Sequence, residues 1–158
     1  MSQVTFSDLK SSPLFNNMAV KEIEYLSSFF TLNQIPEGRT VFIENMPGES
    51  LYLIKQGTVQ ISQMLAEVDE QDLIALGAGD VFGEMAVIDG GNRSATARIV
   101  KNAVLYSLNR KAFNILVSEK PRLGLQLTLN IVTIFSAKIR SAKRDYQTML
   151  TASLNRKK

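Results

Sequence analysis

Residues 82–97 read FGEMAVIDGGNRSATA and bring the acid Glu84, the arginine Arg93 and a glycine-opened turn together in a short loop. Gly83 lets the backbone approach a ligand closely, and Glu84 starts a helix-favouring run whose first N–H groups lack an intrahelical partner and can be donated to a phosphate. Arg93 can hold two phosphate oxygens at once, whereas the Glu84 carboxylate repels phosphate but accepts hydrogen bonds from a ribose hydroxyl. The stretch therefore predicts a pocket for a nucleotide of low charge.

The pattern F-G-E-M-A, followed by R-S-A-T-A, resembles the phosphate-binding cassette of the cyclic nucleotide-binding domain family. That family includes the catabolite activator protein and the regulatory subunits of protein kinase A. The resemblance covers nearly the whole chain, because the other turn residues of the family also occur here in order. They are Pro36-Glu37-Gly38, Gly48-Glu49, Gly57 and Gly79-Asp80.

The resemblance implies a role for each part of the cassette. Glu84 would bind the ribose 2′-hydroxyl, Arg93 would bind the cyclic phosphate, and the small residue after the arginine would touch the phosphate or the base. The positions predicted to contact the ligand are Phe82, Gly83, Glu84, Met85, Ala86, Arg93, Ser94 and Ala95.

The identity of the base stays open at this stage. In the family, a residue of the long C-terminal helix caps the base, and the helical register from Pro121 brings Lys138, Ile139 or Arg140 to that place. Arg140 can stack on a purine and Ile139 can cover it, but neither selects a base. Ser94 is compatible with a guanine amino group or with the phosphate. Cyclic AMP is therefore favoured over cyclic GMP only by its frequency in the family.

The composition argues against an enzyme. The chain has no histidine and no cysteine, and its acidic residues form no cluster suited to a divalent ion. Ser94 has no histidine to activate it, and the lysines lack a recognisable partner. We expect a binding module without catalytic residues, metal or cofactor. The alternative is a ligand-free interaction or dimerisation domain of the same fold, in which Glu84 and Arg93 form an ordinary surface ion pair.

The centre of the chain, residues 31–108, predicts a mainly β structure with flanking helices. Several short runs separated by glycine and proline are typical of a sandwich or a barrel. The resemblance implies an eight-stranded double-stranded β-helix, or jelly-roll barrel. Residues 55–58 predict a hairpin turn, and the acidic residues 65–71 predict an exposed loop. The predicted strands are residues 40–43, 50–54, 58–64, 72–76, 96–100 and 103–108, and Leu53, Ile61, Leu73 and Val81 are expected to pack rather than recognise a ligand.

Helical segments are predicted on both sides of this centre. Residues 1–30 show helical spacing with a break at Pro13, and residues 109–150 predict two helices, one capped by Asn109 and one starting at Pro121. The longer helix carries an apolar seam that either packs back on its own barrel or pairs with a second copy. Close to the barrel, we expect the helix to pack back on its own barrel. Beyond about Ile139, we expect it to pair with a second copy in a parallel homodimer. The seam consists of Phe135, Ile139, Ala142, Tyr146 and Met149.

Length and charge complete the sequence-based expectations. The 158 residues predict one domain, and the absence of cysteine permits a reducing compartment. Without a signal peptide or a membrane-spanning stretch, the chain is expected to be soluble and cytoplasmic. The net charge is +3, and the basic residues are concentrated toward the end of the C-terminal helix, which favours compensation of the helix dipole over a nucleic-acid patch. The basic residues are Lys138, Arg140, Lys143, Arg144 and residues 156–158.

The sequence after the long helix indicates which kind of regulatory role to expect. Transcription factors of the family carry a helix-turn-helix domain after this helix, and this chain stops at Lys158, so we expect no DNA-binding domain. The role expected is a sensor that stands alone or belongs to a larger protein. The cyclic phosphate would bridge Arg93 and the backbone of residues 83–86, draw the cassette inward and let the C-terminal helices re-pack. A downstream protein partner is a further expectation.

Overall fold

The computed structural model describes residues 6–66 and 69–155, which contain six antiparallel strands and five α-helices. The antiparallel sheet with helices around it agrees with the predicted mainly β fold. The strands are β1 (Thr31–Ile35), β2 (Thr40–Phe42), β3 (Ser50–Ala66), β4 (Asp69–Leu76), β5 (Val81–Phe82) and β6 (Thr96–Asn109). The helices are α1 (Phe6–Leu9), α2 (Val20–Ser27), α3 (Glu84–Asp89), α4 (Arg110–Glu119) and α5 (Pro121–Asn155), and a 3-10 turn spans Pro13–Phe15.

Strands β3 and β6 form the centre of the sheet. The strand order is β1-β6-β3-β4, with β2 paired to β6 and β5 paired to β3. The β3–β6 ladder runs from the pair Ser50 and Asn109 to the pair Ser62 and Thr96, with several register shifts between them. Each shift bends the ladder without ending it. The shorter strands therefore pair with two long, bent strands, β3 and β6.

The described residues form six strands, where the resemblance implied eight. The predicted hairpin at residues 55–58 is wrong, because β3 continues through this segment while bending at register shifts. Gly57 adopts a φ of +97°, and a Cβ there would lie 2.5 Å from the carbonyl oxygen of Asn102 on β6. Likewise, the two runs predicted at residues 96–100 and 103–108 form the single strand β6. Glycine thus marks a bend here and not a chain reversal.

The predicted acidic loop is also shorter than expected. Strand β3 extends to Ala66 and β4 begins at Asp69, so most of residues 65–71 belong to paired strands. Residues 67 and 68 lie outside the described ranges. The exposed residues of β4 explain why the pattern was misleading, since the first seven positions of this strand face solvent.

Two apolar clusters form the core. One lies between the helices and one end of the sheet, and the other fills the interior of the bent sheet. Burial of these side chains is the main stabilising contribution to the fold. The second cluster is made of Ile54, Val59, Leu76, Phe82, Ala97, Ile99, Ala103 and Leu105.

The C-terminal helices begin where the sequence predicts. The Asn109 side chain accepts a hydrogen bond from the N–H of Ala112 at 2.8 Å, and Pro121 opens α5. The first half of α5 is fastened to the N-terminal segment by the buried Asn130, which donates to the carbonyl oxygens of Leu14 and Asn16 at 2.7 and 2.9 Å. Consequently the early part of α5 has a fixed position against the body of the protein.

The second half of α5 is largely exposed to solvent. Residues 141–155 are all exposed. Of the predicted basic cluster, Lys138, Arg140, Lys143 and Arg144 lie along this helix, whereas residues 156–158 are outside the described part. Within the described ranges, no helix combines the length and the apolar character needed to cross a membrane.

Candidate functional site

The cassette between β5 and β6 is built around helix α3. Gly83 precedes the helix with a φ of +72°, a conformation that side-chain-bearing residues rarely adopt. A Cβ on Gly83 would lie 2.6 Å from the Nη1 atom of Arg93 and 3.0 Å from the carbonyl oxygen of Ser50. Backbone conformation and the close approach of Arg93 therefore both require glycine at this position.

Arg93 is fixed by its own backbone and by its side chain. Its N–H donates to the carbonyl of Met46 and its carbonyl accepts from the N–H of Asn45, both at 2.8 Å. The Nη1 atom donates to the carbonyl oxygens of Ser50 at 2.8 Å and Gly83 at 3.1 Å. These bonds tie the guanidinium to the start of β3 and to the start of α3.

An aromatic floor supports the Arg93 guanidinium. Its central carbon lies 4.0 Å from the ring centroid of Phe42 and 5.9 Å from that of Tyr52. The Tyr52 ring stacks in turn on Phe82, with centroids 5.1 Å apart. Cation–π attraction between arginine and aromatic rings strengthens when water is excluded, so this floor stabilises the charge and sets its orientation.

The charge of Arg93 is buried and has no ion-pair partner among the described residues. The residue is only 6% exposed, no described residue forms an ion pair with it, and its Nε atom has no hydrogen-bond partner among the described residues. Burial lowers the pKa of the guanidinium from its ordinary value, while Tyr52 and Glu84 oppose that shift. A buried cation without a partner is costly, so the arrangement favours the entry of an anion.

Glu84 is buried as well, and it pairs with the C-terminal helix. Its Oε1 atom accepts a hydrogen bond at 2.7 Å from the Nζ atom of Lys138, which also donates to the carbonyl oxygen of Val81 at 2.6 Å. The alternative of an ion pair between Glu84 and Arg93 is therefore not realised. Glu84 and Arg93 therefore have different environments, because Lys138 neutralises Glu84 whereas Arg93 has no ion-pair partner among the described residues.

A cavity of about 740 Å³ opens beside these residues. This volume falls within the range of small-molecule sites. All eight cassette positions predicted to contact a ligand line it, and so do apolar residues of β4 and one face of α5. The cassette positions are Phe82, Gly83, Glu84, Met85, Ala86, Arg93, Ser94 and Ala95, and the other lining residues include Ile61, Leu73, Ile74, Leu76, Phe135, Lys138, Ser141, Ala142 and Asp145.

Two of the residues predicted to reach the base do not line this cavity. Ile139 and Arg140 are exposed on α5, and Lys138 lines the cavity in their place. Each residue advances the direction of a side chain by about 100° around a helix, so Arg140 points nearly opposite to Lys138. The helical face turned to the cavity carries residues 135, 138, 142 and 145.

The apolar wall of the cavity differs from the expectation as well. Leu53 and Val81 are buried in the core and Ile61 packs against it, as predicted, but Ile61 also lines the cavity, together with Leu73. Leu73 is 53% exposed on β4. Sequence reasoning missed these residues because an apolar side chain in a strand has the same pattern whether it faces the core or a cavity.

The described residues contain no cluster of candidate metal ligands. Across residues 6–66 and 69–155, no group of three or more acidic side chains is arranged to hold a metal ion. The cavity offers instead a buried cation, a paired acid and apolar walls. Such a set can bind a small organic anion.

Comparisons with known proteins find a matching family model and several similar proteins. A family model described as “Cyclic nucleotide-binding domain” matches residues 32–120. The chain is 31% identical over 134 residues to the cyclic AMP receptor protein of Thermus thermophilus, a match that covers 85% of this chain and 60% of that protein. The chain spans between 53% and 60% of the length of the first curated relatives that it matches.

Solved structures of other proteins are also similar to this chain. A crystal structure of a cyclic nucleotide-binding domain from Methylobacillus flagellatus superimposes with a TM-score of 0.85 at 26% identity, covering 91% of this chain and 83% of that one. The regulatory domain of Toxoplasma gondii PKA, crystallised with cAMP, gives a TM-score of 0.63 at 29% identity, covering 72% of this chain and 42% of that one.

Proposed function

The chain belongs to the cyclic nucleotide-binding domain family, and from that premise we propose that it is a regulatory sensor whose ligand is cyclic AMP. The observation that carries this proposal is the buried Arg93 guanidinium, whose Nε atom has no hydrogen-bond partner among the described residues. A cyclic phosphodiester brings a single negative charge and acceptor oxygens for the guanidinium. Binding would therefore offset the cost of a buried cation.

The surfaces around Arg93 suit the other parts of such a ligand. The Glu84 carboxylate can accept a hydrogen bond from a ribose hydroxyl. Leu73 and Ile74 of β4, which are 53% and 55% exposed, offer an apolar surface to the base. Covering exposed apolar area is favourable, so a purine ring placed against β4 would add to the affinity.

The choice of cyclic AMP rests on the relatives. The Thermus thermophilus relative is named a cyclic AMP receptor protein, and the Toxoplasma gondii structure holds cAMP. Ser94, the polar residue beside Arg93, suits an adenine or a guanine ligand. Cyclic GMP is therefore the alternative ligand that any binding experiment must include.

Thermal melting with cyclic AMP, cyclic GMP and linear AMP tests the proposed function. A ligand that binds only the folded state adds about 2.7 kcal/mol at a hundred times its Kd. For a chain of this size we expect the Tm to rise by roughly 5–10 °C with cyclic AMP. Linear AMP serves as the control, because its terminal phosphate carries more charge and lacks the ring.

The outcomes separate the alternatives. A larger rise with cyclic GMP would reassign the ligand while keeping the sensor. No shift with any cyclic nucleotide at millimolar concentration would contradict the proposal and favour a ligand-free interaction or dimerisation domain. The observation that favours this second function is an apolar stripe exposed along α5.

We further propose that α5 pairs with its counterpart in a homodimer. The predicted seam has to be revised, because Phe135 and Ala142 line the cavity. The exposed apolar residues follow a neighbouring stripe with spacings of four, three, seven, seven and four residues, which fit a heptad repeat in which Ser136 and Lys143 take two of the seam positions. Such a stripe on an exposed helix is unfavourable in water unless covered. It consists of Leu125, Leu129, Val132, Ile139, Tyr146 and Leu150.

Placing a charge on the stripe is expected to dissociate the homodimer. We expect wild-type protein to have twice the mass of the chain in light scattering, and Tyr146→Lys to have the mass of a single chain. Thr148→Lys is the matched control, since Thr148 lies on the opposite side of the exposed helix. A monomeric wild-type protein, or a dimer that survives Tyr146→Lys, would contradict the proposed interface.

A further inference from the structure

Lys138 joins the C-terminal helix to the ligand cavity. Its Nζ atom lies 2.7 Å from the Glu84 Oε1 atom on α3 and 2.6 Å from the carbonyl oxygen of Val81 on β5. The Glu84 side chain is 6% exposed, whereas that of Lys138 is 39% exposed. The lysine therefore reaches from the partly exposed helix into the buried edge of the cassette.

We propose that Lys138 couples the docking of α5 to anion binding, because it neutralises Glu84 only while the helix is docked. This inference rests on the proposed function and assigns Lys138 as a positioning residue for that site. Lys138 would not cap the base, since both of its described contacts are with the cassette side of the cavity.

The charges around the cavity explain why Glu84 needs a partner. Arg93 carries one positive charge and Glu84 one negative charge, so these two residues alone leave the cavity neutral and a bound phosphodiester uncompensated. The Lys138 ammonium adds the second positive charge, which balances the ligand. Asp80 and Asp145 also line the cavity, but both are exposed, so water and salt screen them.

Glu84 keeps an acceptor for the ligand in this arrangement. Lys138 contacts the Oε1 atom, and a carboxylate has a second oxygen with its own lone pairs. The ion pair fixes the orientation of the carboxylate, so the second oxygen can meet a ribose hydroxyl without competing with the lysine. Lys138 is thus expected to assist binding and not to block it.

The coupling between helix and ligand follows from thermodynamic linkage. If docked α5 raises the affinity for the anion, the anion must stabilise docked α5 by the same free energy. The first half of α5 is anchored through Asn130, whereas residues 141–155 are exposed, so Lys138 lies near the boundary between the anchored and the exposed part. A change in ligand occupancy would therefore alter the exposed part.

The test compares the Kd values of wild type, Lys138→Met and Arg140→Met for cyclic AMP and cyclic GMP by calorimetry. We expect Lys138→Met to weaken binding about ten-fold, within the usual range of coupling free energies. Arg140→Met is the matched control, because it removes one positive charge from the exposed opposite side of α5. Its Kd should stay within about two-fold of the wild-type value.

A double-mutant cycle identifies the partner of Lys138. In a Glu84→Gln background there is no carboxylate charge to neutralise, so adding Lys138→Met should change the Kd by less than about two-fold. The same background also controls for misfolding. Lys138→Met alone leaves the buried Glu84 carboxylate unpaired, whereas in the Glu84→Gln background there is no carboxylate to leave unpaired. An equally large loss of affinity in both backgrounds would overturn the coupling between these two residues.

Hydrogen exchange supplies a readout that does not depend on ligand. In the ligand-free protein, amides of residues 134–145 should exchange faster in Lys138→Met than in wild type or Arg140→Met. Unchanged exchange, or unchanged or tighter binding by Lys138→Met, would overturn the role of Lys138 alone. A wild-type protein that binds no cyclic nucleotide would overturn the proposed function and this inference together.

Discussion

Replacing Arg93 by alanine is expected to weaken cyclic nucleotide binding by roughly a hundred-fold. Losing one partner of a buried charge pair costs about 2–5 kcal/mol, and each 1.4 kcal/mol is about ten-fold in Kd. Arg93 is 6% exposed and forms no ion pair with a described residue, so the substitution would leave the phosphate of the ligand without the guanidinium that pairs with it. Calorimetric titration of cyclic AMP into wild-type and Arg93→Ala protein measures the effect.

Two further variants sharpen this prediction. Arg93→Lys keeps the charge but loses the planar fork that donates to the carbonyls of Ser50 and Gly83, so most of the affinity should still be lost. Arg98→Ala is the control, because Arg98 makes a half-exposed ion pair with Glu70 on the sheet and does not line the cavity. Wild-type affinity in the Arg93→Ala variant, or equal losses in Arg93→Ala and Arg98→Ala, would reject the site.

Replacing Ile99 by alanine is expected to destabilise the fold by about 2–5 kcal/mol, the range for truncating a large buried aliphatic side chain. Ile99 is 1% exposed in the cluster inside the bent sheet. The loss combines the transfer free energy of the removed methyl groups with the cost of the cavity they leave. The free energy of unfolding, measured by urea titration without ligand, reports this effect.

The neighbouring Val100 provides the matched control. It follows Ile99 in the same strand but is 41% exposed, because successive side chains of a strand point to opposite faces. Val100→Ala should cost about 1 kcal/mol or less, mainly through the lower strand preference of alanine. Equal losses of stability in the two variants would mean that burial inside the bent sheet does not stabilise the fold.

The local features of this protein were predictable from sequence because they depend on neighbouring residues. The cassette residues from Phe82 to Ala86 and from Arg93 to Ala95 were predicted to lie together, and the structure places them around one cavity. The starts of α4 and α5 were predicted from Asn109 and Pro121. A cap, a helical start and a glycine turn each require a particular residue within a few positions, so the sequence states them directly.

The strand count and the base cap were not predictable in the same way. A glycine between two apolar runs is compatible with a hairpin or with a bend in one strand, and only the β6 backbone packed against Gly57 decides for the bend. The helical register brought three candidates to the base, but which of them faces the cavity depends on how α5 lies against the sheet. Of these three residues, Lys138 lines the cavity, and its hydrogen bonds go to Val81 and Glu84 of the cassette side and not toward a base.

The sequence by itself determined the composition of the site: a glycine that admits a close approach, an acid, an arginine and no histidine or cysteine. Only the tertiary structure decided that Arg93 is buried without an ion-pair partner among the described residues, whereas Glu84 pairs with Lys138, which lies 54 positions away. Burial and charge pairing depend on the packing of distant elements, and no local pattern encodes such a contact. The same residues in a looser packing would be an exposed acid and an exposed base, each hydrated and neither prepared for a ligand.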